Sequence, residues 1–148
     1  MTKNVLLLLL ACLVAGCATS RQIASAGSGQ CAHVPWSGNG YPIMPGTPVQ
    51  LAQCFARNST QQWTFKGSQV ISVTGMCMDA QAANGGDQPQ VVVAPCNGNS
   101  NQAWHVQGGQ VVASGGRCLD VPGGNLAEGT PLTVSPCSAS SSQQWTLR

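Results

Sequence analysis

The chain has 148 residues, of which only 7% are charged, and its formal net charge is +2. Its few Lys and Arg residues form no basic stripe, so nucleic acid is not an expected partner. Gly, Ser, Asn and Gln are abundant and long amphipathic helical stretches are absent, which favours an all-β protein of short strands and many turns.

Residues 1–16 predict a bacterial lipoprotein signal peptide. The apolar run VLLLLLACLVAG follows one Lys and is too short to span a bilayer comfortably. It ends in LVAGC, which resembles a lipobox, and this implies cleavage before Cys17 and acyl chains such as palmitate on that residue. An ordinary secretory peptide cleaved nearby is the alternative. Ala18, rather than Asp, follows Cys17, which favours the outer membrane of a bacterial envelope under the common enterobacterial rule.

The remainder of the chain suits one domain in length. We predict that residues 17–22 form the lipidated Cys and a polar tether, which could extend to Gly29. The domain then covers residues 23–148. The lipid anchor would hold it on a membrane.

A repeat runs through this domain. Gln-x-Trp occurs three times at a constant interval of 41 residues, with Trp63, Trp104 and Trp145 at its end. Such a period indicates a repeat architecture. The sequence pattern predicts four short strands in each repeat. In the second repeat these strands lie near WTFK, QVISV, CMDA and QVVVAPC. Three repeats therefore predict twelve strands.

Cysteines follow the same period. Cys12 lies in the signal peptide and Cys17 is the lipid site, which leaves six, two in each repeat. Disulfides are expected in an exported chain. The repeat favours pairing within each unit: Cys31–Cys54, Cys77–Cys96 and Cys118–Cys137. With no CxxC and only His33 and His105, we predict neither a metal site nor a cofactor.

An open stack of three units would expose sheet edges, and propellers typically need at least about four blades, so a closed threefold barrel is favoured. The combination of Cys-x-Asp, a second Cys and a late Gln-x-Trp resembles the ricin B-type lectin family over about residues 22–148. This resemblance implies a β-trefoil, a barrel capped by three hairpins with pseudo-threefold symmetry. The final WTLR would pair with the first strand near Ile23 and close the ring.

The three Gln-x-Trp motifs are first of all predicted to be structural. Each Trp can bury on the order of 200 Å² in a shared core. A buried Gln needs hydrogen-bond partners. The resemblance implies that this Gln binds the Asp of Cys-x-Asp and orients it.

The same resemblance implies a sugar pocket in each lobe, made of that Asp, a polar residue, a stacking aromatic and an Asn before Gln-x-Trp. In the second repeat Asp79, Asn101 and Gln102 match, while Val92 and Ala94 replace the polar and aromatic residues. The alternative for Asp79 is structural support, and turn propensity also explains Asn101.

The other repeats match less well. In the third, Asp120 and Gln143 match, and the remaining positions hold Thr133, Ser135 and Ser142. Asp120 has the same structural alternative as Asp79. In the first, the corresponding positions hold His33, Gln50, Ala52 and Thr60.

The first repeat also contains the extra segment PWSGNGYPIMPG, with Trp36 and Tyr41. We hypothesise that these rings form a replacement stacking platform beside His33. The alternative is that Trp36 folds over the base of the barrel and that Tyr41 fills a loop.

These features predict a non-catalytic, carbohydrate-binding lipoprotein whose partner is a glycan or polysaccharide. No grouping of nucleophile, base and orienting residue is evident, so an enzyme is not predicted. The alternative is a protein-interaction trefoil with degenerate sugar sites, such as a toxin-delivery-like or envelope adaptor subunit, which would have a protein partner.

Overall fold

The computed structural model of the chain describes residues 18–36, 42–81 and 88–148. These residues form short strands and four 3₁₀ turns, and no helix among them is long and apolar enough to cross a membrane. The strands are β1 (Thr19–Arg21), β2 (Ile23–Ser25), β3 (Cys31–His33), β4 (Gln50–Ala52), β5 (Trp63–Lys66), β6 (Gln69–Ile71), β7 (Cys77–Ala80), β8 (Val91–Ala94), β9 (Trp104–Gln107), β10 (Gln110–Ala113), β11 (Arg117–Asp120), β12 (Thr133–Pro136) and β13 (Trp145–Leu147). The 3₁₀ turns are Ser59–Gln61, Ser100–Gln102, Pro122–Gly124 and Ser141–Gln143.

The strands form three antiparallel sheets, one for each repeat. Their orders are β13-β2-β3-β4, β1-β5-β6-β7-β8 and β12-β11-β10-β9. We call residues 18–62, 63–103 and 104–148 the first, second and third lobes. The four strands predicted for the second repeat are β5 to β8, and the predicted all-β trefoil is confirmed.

The C-terminal strand closes the ring, as the sequence predicts. β13 pairs with β2 in the first sheet, and Leu147 lies opposite Ile23. The first sheet is therefore completed by the last residues of the chain, so the two ends of the domain stabilise each other.

A ring of backbone hydrogen bonds joins the lobes at their centre. Val49 N–H donates to Val91 O at 2.9 Å, Val91 N–H donates to Leu132 O at 2.9 Å, and Leu132 N–H donates to Val49 O at 2.8 Å. All three side chains are fully buried. Each lobe thus donates to one neighbour and accepts from the other, which gives the pseudo-threefold symmetry a physical basis.

The core and the disulfides follow the repeat. Trp63, Trp104 and Trp145 are all buried in one hydrophobic cluster, to which every lobe contributes aliphatic side chains. The three disulfides join the two cysteines of each repeat, as predicted: Cys31–Cys54, Cys77–Cys96 and Cys118–Cys137. In the chain-entropy account each such loop of about 20 residues stabilises the fold by about 3 kcal/mol.

Over the described residues 18–22 the structure differs from the predicted polar tether, and it also differs from the extension of that tether to Gly29. Thr19–Arg21 form β1, which pairs along β5, and Ile23–Ser25 form the buried strand β2. Gln22 between them is also buried, and its backbone exchanges two hydrogen bonds with Arg148. The edge of β5 offers backbone hydrogen-bonding partners to this polar segment, so paired structure begins at Thr19. The described residues therefore contain one strand more than the predicted twelve.

Candidate functional site

The indole of each repeated Trp makes the same hydrogen bond. Trp63 Nε1 donates to Ala32 O at 3.0 Å, and Trp104 and Trp145 donate likewise to Met78 O at 2.8 Å and Leu119 O at 2.9 Å. Each acceptor directly follows the first Cys of a repeat. The three rings therefore anchor the strands that carry the Asp or His position, and none of these three buried rings is available for a ligand to stack on.

The Gln two residues earlier acts as a clamp on the segment around the second Cys. Gln102 Nε2 donates to Pro95 O at 2.9 Å, and its Oε1 accepts from Asn97 N–H at 2.9 Å. Gln61 and Gln143 make the equivalent pairs of bonds in their lobes. The motif thus ties the end of one lobe to its disulfide.

In the second lobe this clamp also holds a carboxylate. Asp79 is 5% exposed, and its Oδ2 accepts from Gln102 Nε2 at 2.9 Å. Its Oδ1 accepts from Asn101 Nδ2 at 2.7 Å. Both amide side chains fix the carboxylate in one orientation, and Asn101 remains partly exposed at the surface. The structure therefore brings together the three residues that the sequence singled out here.

The positions beside this carboxylate are apolar. Val92 lies opposite Asp79 in the β7–β8 pair, and Ala94 lies opposite Cys77. Val92 is buried and Ala94 is partly exposed. This face of the lobe offers a fixed carboxylate and an amide, but no aromatic surface.

The third lobe has a different pattern. Asp120 Oδ2 accepts from Gln143 Nε2 at 3.1 Å, whereas Asp120 Oδ1 is buried without a partner among the described residues. Thr133 Oγ1 and Ser135 Oγ are also buried without a hydrogen-bond partner among the described residues. Asp120 lies opposite Thr133 in the β11–β12 pair, so their side chains share one face. The third lobe thus retains unused hydrogen-bonding capacity that its sequence alone did not reveal.

The first lobe replaces the carboxylate with a histidine. Thr60 Oγ1 donates to Asn58 Oδ1 at 2.7 Å and lies 2.9 Å from His33 Nδ1. A hydroxyl has one proton to donate, so His33 Nδ1 must carry the hydrogen of that second bond. Burial lowers the pKa of His33 from its ordinary value of 6.5, and the charge of Glu128 partly opposes this effect.

The lowered pKa of His33 predicts a loss of stability in acid. Below about pH 6.5 an unfolded His33 takes up a proton, whereas the folded protein resists this until its own lower pKa is reached. The unfolded state then binds more protons, so stability falls as the pH drops through this window. We expect His33→Asn to reduce the fall in denaturant midpoint between pH 7 and pH 5. His105→Asn, at an exposed position, should leave it unchanged; equal pH profiles for wild type and His33→Asn would contradict the prediction.

The predicted stacking platform of Trp36 and Tyr41 lies only partly within the described residues. Trp36 is 56% exposed, so it does not fold over the base of the barrel as a buried ring. Tyr41 and Cys17 lie outside the described residues. A stacking role for Trp36 remains a prediction.

A cavity of about 300 Å³ lies between the second and third lobes, and sequence reasoning missed it. It is lined by Ala80, Gln81, Pro89, Ser100 and Asn101 of the second lobe and by Ala113, Ser114, Gly115, Arg117 and Val134 of the third. Only Asn101 had been singled out from the sequence. No motif links the two walls, because they come from different repeats and meet only in the closed fold.

Comparison with known proteins identifies one protein family. A family model described as the ricin-type beta-trefoil lectin domain matches residues 19–148. No curated protein matches the sequence significantly.

Among solved structures, the chain is similar to a designed threefold-symmetric protein, ThreeFoil, with 21% identity and a TM-score of 0.73 over 86% of this chain and 96% of that one. It is similar to the C-half of an earthworm R-type lectin in complex with GalNAc, with 17% identity and a TM-score of 0.71 over 87% and 97%. It is also similar to a mosquitocidal holotoxin, with 19% identity and a TM-score of 0.75, over 89% of this chain but only 17% of that one. At these identities the likeness shows a shared fold.

Proposed function

Because the chain belongs to the family of ricin-type β-trefoil lectin domains, we propose that it binds carbohydrate without catalysis and that its second lobe holds the sugar. The observation that carries this proposal is the Asp79 carboxylate, whose two oxygens are held by Asn101 and Gln102. A carboxylate oxygen has more than one lone pair, so each can still accept a sugar hydroxyl. The earthworm relative seen with GalNAc supports a saccharide as the class of ligand.

The affinity of one such site is expected to be low. Binding near millimolar corresponds to about −4 kcal/mol, which suits a few hydrogen bonds without a stacking aromatic. Many copies on one membrane would raise the avidity for a polysaccharide by orders of magnitude, because later contacts become intramolecular.

We predict that Asn101→Ala weakens sugar binding about tenfold, since it removes the partly exposed amide beside the fixed carboxylate. A glycan array would first identify a bound sugar, and calorimetry would then compare the variants. The full-length protein would be kept in a polyoxyethylene detergent, which carries no competing sugar headgroup. Ser142→Ala changes the equivalent position of the third lobe and should bind like wild type. Unchanged binding by Asn101→Ala would move the site out of the second lobe, and no binding on a dense array would reject the lectin function.

The absence of catalysis is part of the proposal. A retaining glycosidase needs two carboxylates about 5 Å apart. Asp79 and Asp120 lie in different lobes, and each is bonded to the Gln of its own clamp. This arrangement supports binding rather than a general acid and a nucleophile acting together.

A second candidate is a protein-interaction trefoil. The specific observation in its favour is that the stacking positions hold Ala52, Ala94 and Ser135, so no lobe presents an aromatic ring there. A stoichiometric protein that copurifies after mild detergent extraction and stays bound to Asn101→Ala would favour this function. Release of that protein by a free sugar would favour the lectin.

We also propose that the protein is a lipoprotein of the bacterial envelope, anchored through Cys17, in the outer membrane. The LVAGC sequence supports this. Cells grown with labelled palmitate should yield labelled protein, and Cys17→Ser should abolish the label. A mature protein that begins at another residue and carries no acyl chain would show an ordinary secretory peptide instead.

A further inference from the structure

We infer that the sugar site extends across the boundary between the second and third lobes and takes a saccharide with an anionic group, which Arg117 binds. This inference rests on the proposed lectin function and deepens it by naming the class of sugar. The inference rests on the interlobe cavity, which is defined above by the described residues that line it. Its volume of about 300 Å³ falls at the lower end of the range of about 300–1,000 Å³ for small-molecule sites.

The interlobe cavity adjoins the second-lobe site at Asn101. Asn101 lines the cavity and donates its side-chain N–H to Asp79. Among the described residues, no hydrogen bond uses Asn101 Oδ1, which can therefore accept from a ligand. A sugar that is bound at Asp79 and Asn101 has the interlobe cavity beside it.

The walls of the cavity combine apolar side chains with hydroxyl groups. Ala80, Pro89, Ala113 and Val134 supply apolar atoms. These can contact the C–H face of a sugar ring, for which the lobe has no aromatic platform. Ser100 and Ser114 add hydroxyl groups at the opposite sides of the lobe boundary.

Among the described residues that line the cavity, Arg117 is the one that carries a charge. It already makes an interaction within the protein, and a guanidinium with five N–H donors can keep that contact while it donates to a ligand. Carboxylate, sulfate and phosphate groups are the partners that its planar fork fits best. Asp79 on the far side of Asn101 repels such a group, so the anionic end of a sugar points to Arg117 and its hydroxyl end to Asp79.

The backbone sets the position of Arg117. It is the first residue of β11 and lies opposite Ala113 of β10, across a turn that contains Gly115 and Gly116. These two glycines have φ values of 84° and 71°, which other residues rarely adopt. The tight turn therefore places Arg117 at the wall of the cavity on a paired strand rather than on a long loop.

The test compares a matched pair of sugars on the full-length protein in polyoxyethylene detergent. One is an oligogalacturonide, and the other is the same oligomer with its carboxyl groups reduced to alcohols. We expect calorimetry to show about tenfold tighter binding of the acid, and a smaller difference in high salt. Arg117→Gln should remove this preference and keep the binding of the reduced oligomer. Arg57→Gln, which removes the same charge from an exposed turn, should keep the preference.

Two further measurements locate the site and identify the anionic group. Ser114→Tyr should fill the cavity and weaken both oligomers, because Ser114 is exposed at its wall. A sulfated galactose oligomer that binds more tightly than the acid and depends on Arg117 would support the inference, with sulfate as the group.

Equal affinity of wild type for the two oligomers, or a preference that survives Arg117→Gln, would overturn the inference while leaving the lectin function in place. Failure of every saccharide to bind would overturn both.

Discussion

We expect Trp63→Ala to lower the free energy of unfolding by about 3–5 kcal/mol, the usual cost of deleting a large buried aromatic side chain. Trp63 is fully buried in the cluster that all three lobes share. The change also leaves Ala32 O without the indole N–H that it accepts at 3.0 Å. Because a domain of this size is stable by only about 5–15 kcal/mol, much of its stability would be lost. Equilibrium denaturation in urea, with the disulfides intact, measures the change.

Trp36→Ala is the matched control for this experiment. It deletes the same side chain from a position that is 56% exposed, so its effect should stay within about 0.5 kcal/mol. Trp63→Phe should fall between the two, since it keeps most of the ring volume but loses the hydrogen bond. Similar losses for Trp63→Ala and Trp36→Ala would show that the repeated Trp is not the main support of the core.

The fold was predictable because the features that define it recur in the sequence. Gln-x-Trp and the paired cysteines return at about 41 residues, and each serves the same physical role in every lobe. The closing pair between β13 and β2 follows from the same repeat, since the first lobe lacks its own Gln-x-Trp strand at the start. Strand β1 was missed because Thr19–Arg21 is short and polar, and pairs only because β5 leaves an edge to cover.

The candidate site was predictable only in part. Asp79, Asn101 and Gln102 belong to one repeat, and a local pattern identifies them together. The cavity beside them depends on Arg117 and Ser114 from the next lobe, which no local pattern connects to Asn101.

The difference in hydrogen bonding between Asp79 and Asp120 was also not predicted from the sequence. Asp79 has both oxygens bonded, whereas Asp120 has one, because Ser142 cannot reach as Asn101 does. A single substitution of Asn by Ser thus changes the hydrogen bonding of a buried carboxylate.

The second large effect is expected at the Gln clamp. Gln102→Met keeps the length of the side chain but removes its hydrogen bonds, so Pro95 O, Asn97 N–H and one oxygen of Asp79 lose their partners. Leaving a buried donor or acceptor without its partner typically costs about 1–3 kcal/mol, and more when the group is charged. We therefore expect the urea midpoint to fall sharply, and sugar binding to weaken at denaturant-free conditions because the carboxylate is no longer fixed. Gln107→Met, at an exposed position of the third lobe, should have almost no effect.

Gln61→Met distinguishes the cost of losing the clamp hydrogen bonds from the cost of leaving the Asp79 carboxylate without its amide partner. Gln61 makes the same clamp bonds to Gln53 O and Phe55 N–H, but its lobe has His33 where the others have an Asp. Its Oε1 also accepts from Gln22 Nε2 at 3.2 Å, and Gln22 Nε2 keeps a second acceptor, Phe55 O, when Gln61 is replaced. Gln61→Met should therefore lose less stability than Gln102→Met. The difference between the two variants is the cost of leaving the Asp79 carboxylate without its amide partner. Adding Asp79→Asn to Gln102→Met should recover part of the lost stability, because the unpaired group no longer carries a charge. If Gln61→Met and Gln102→Met cost the same, and the double variant recovers nothing, then the clamp supports only the disulfide loop, and Asp79 needs no amide to hold it.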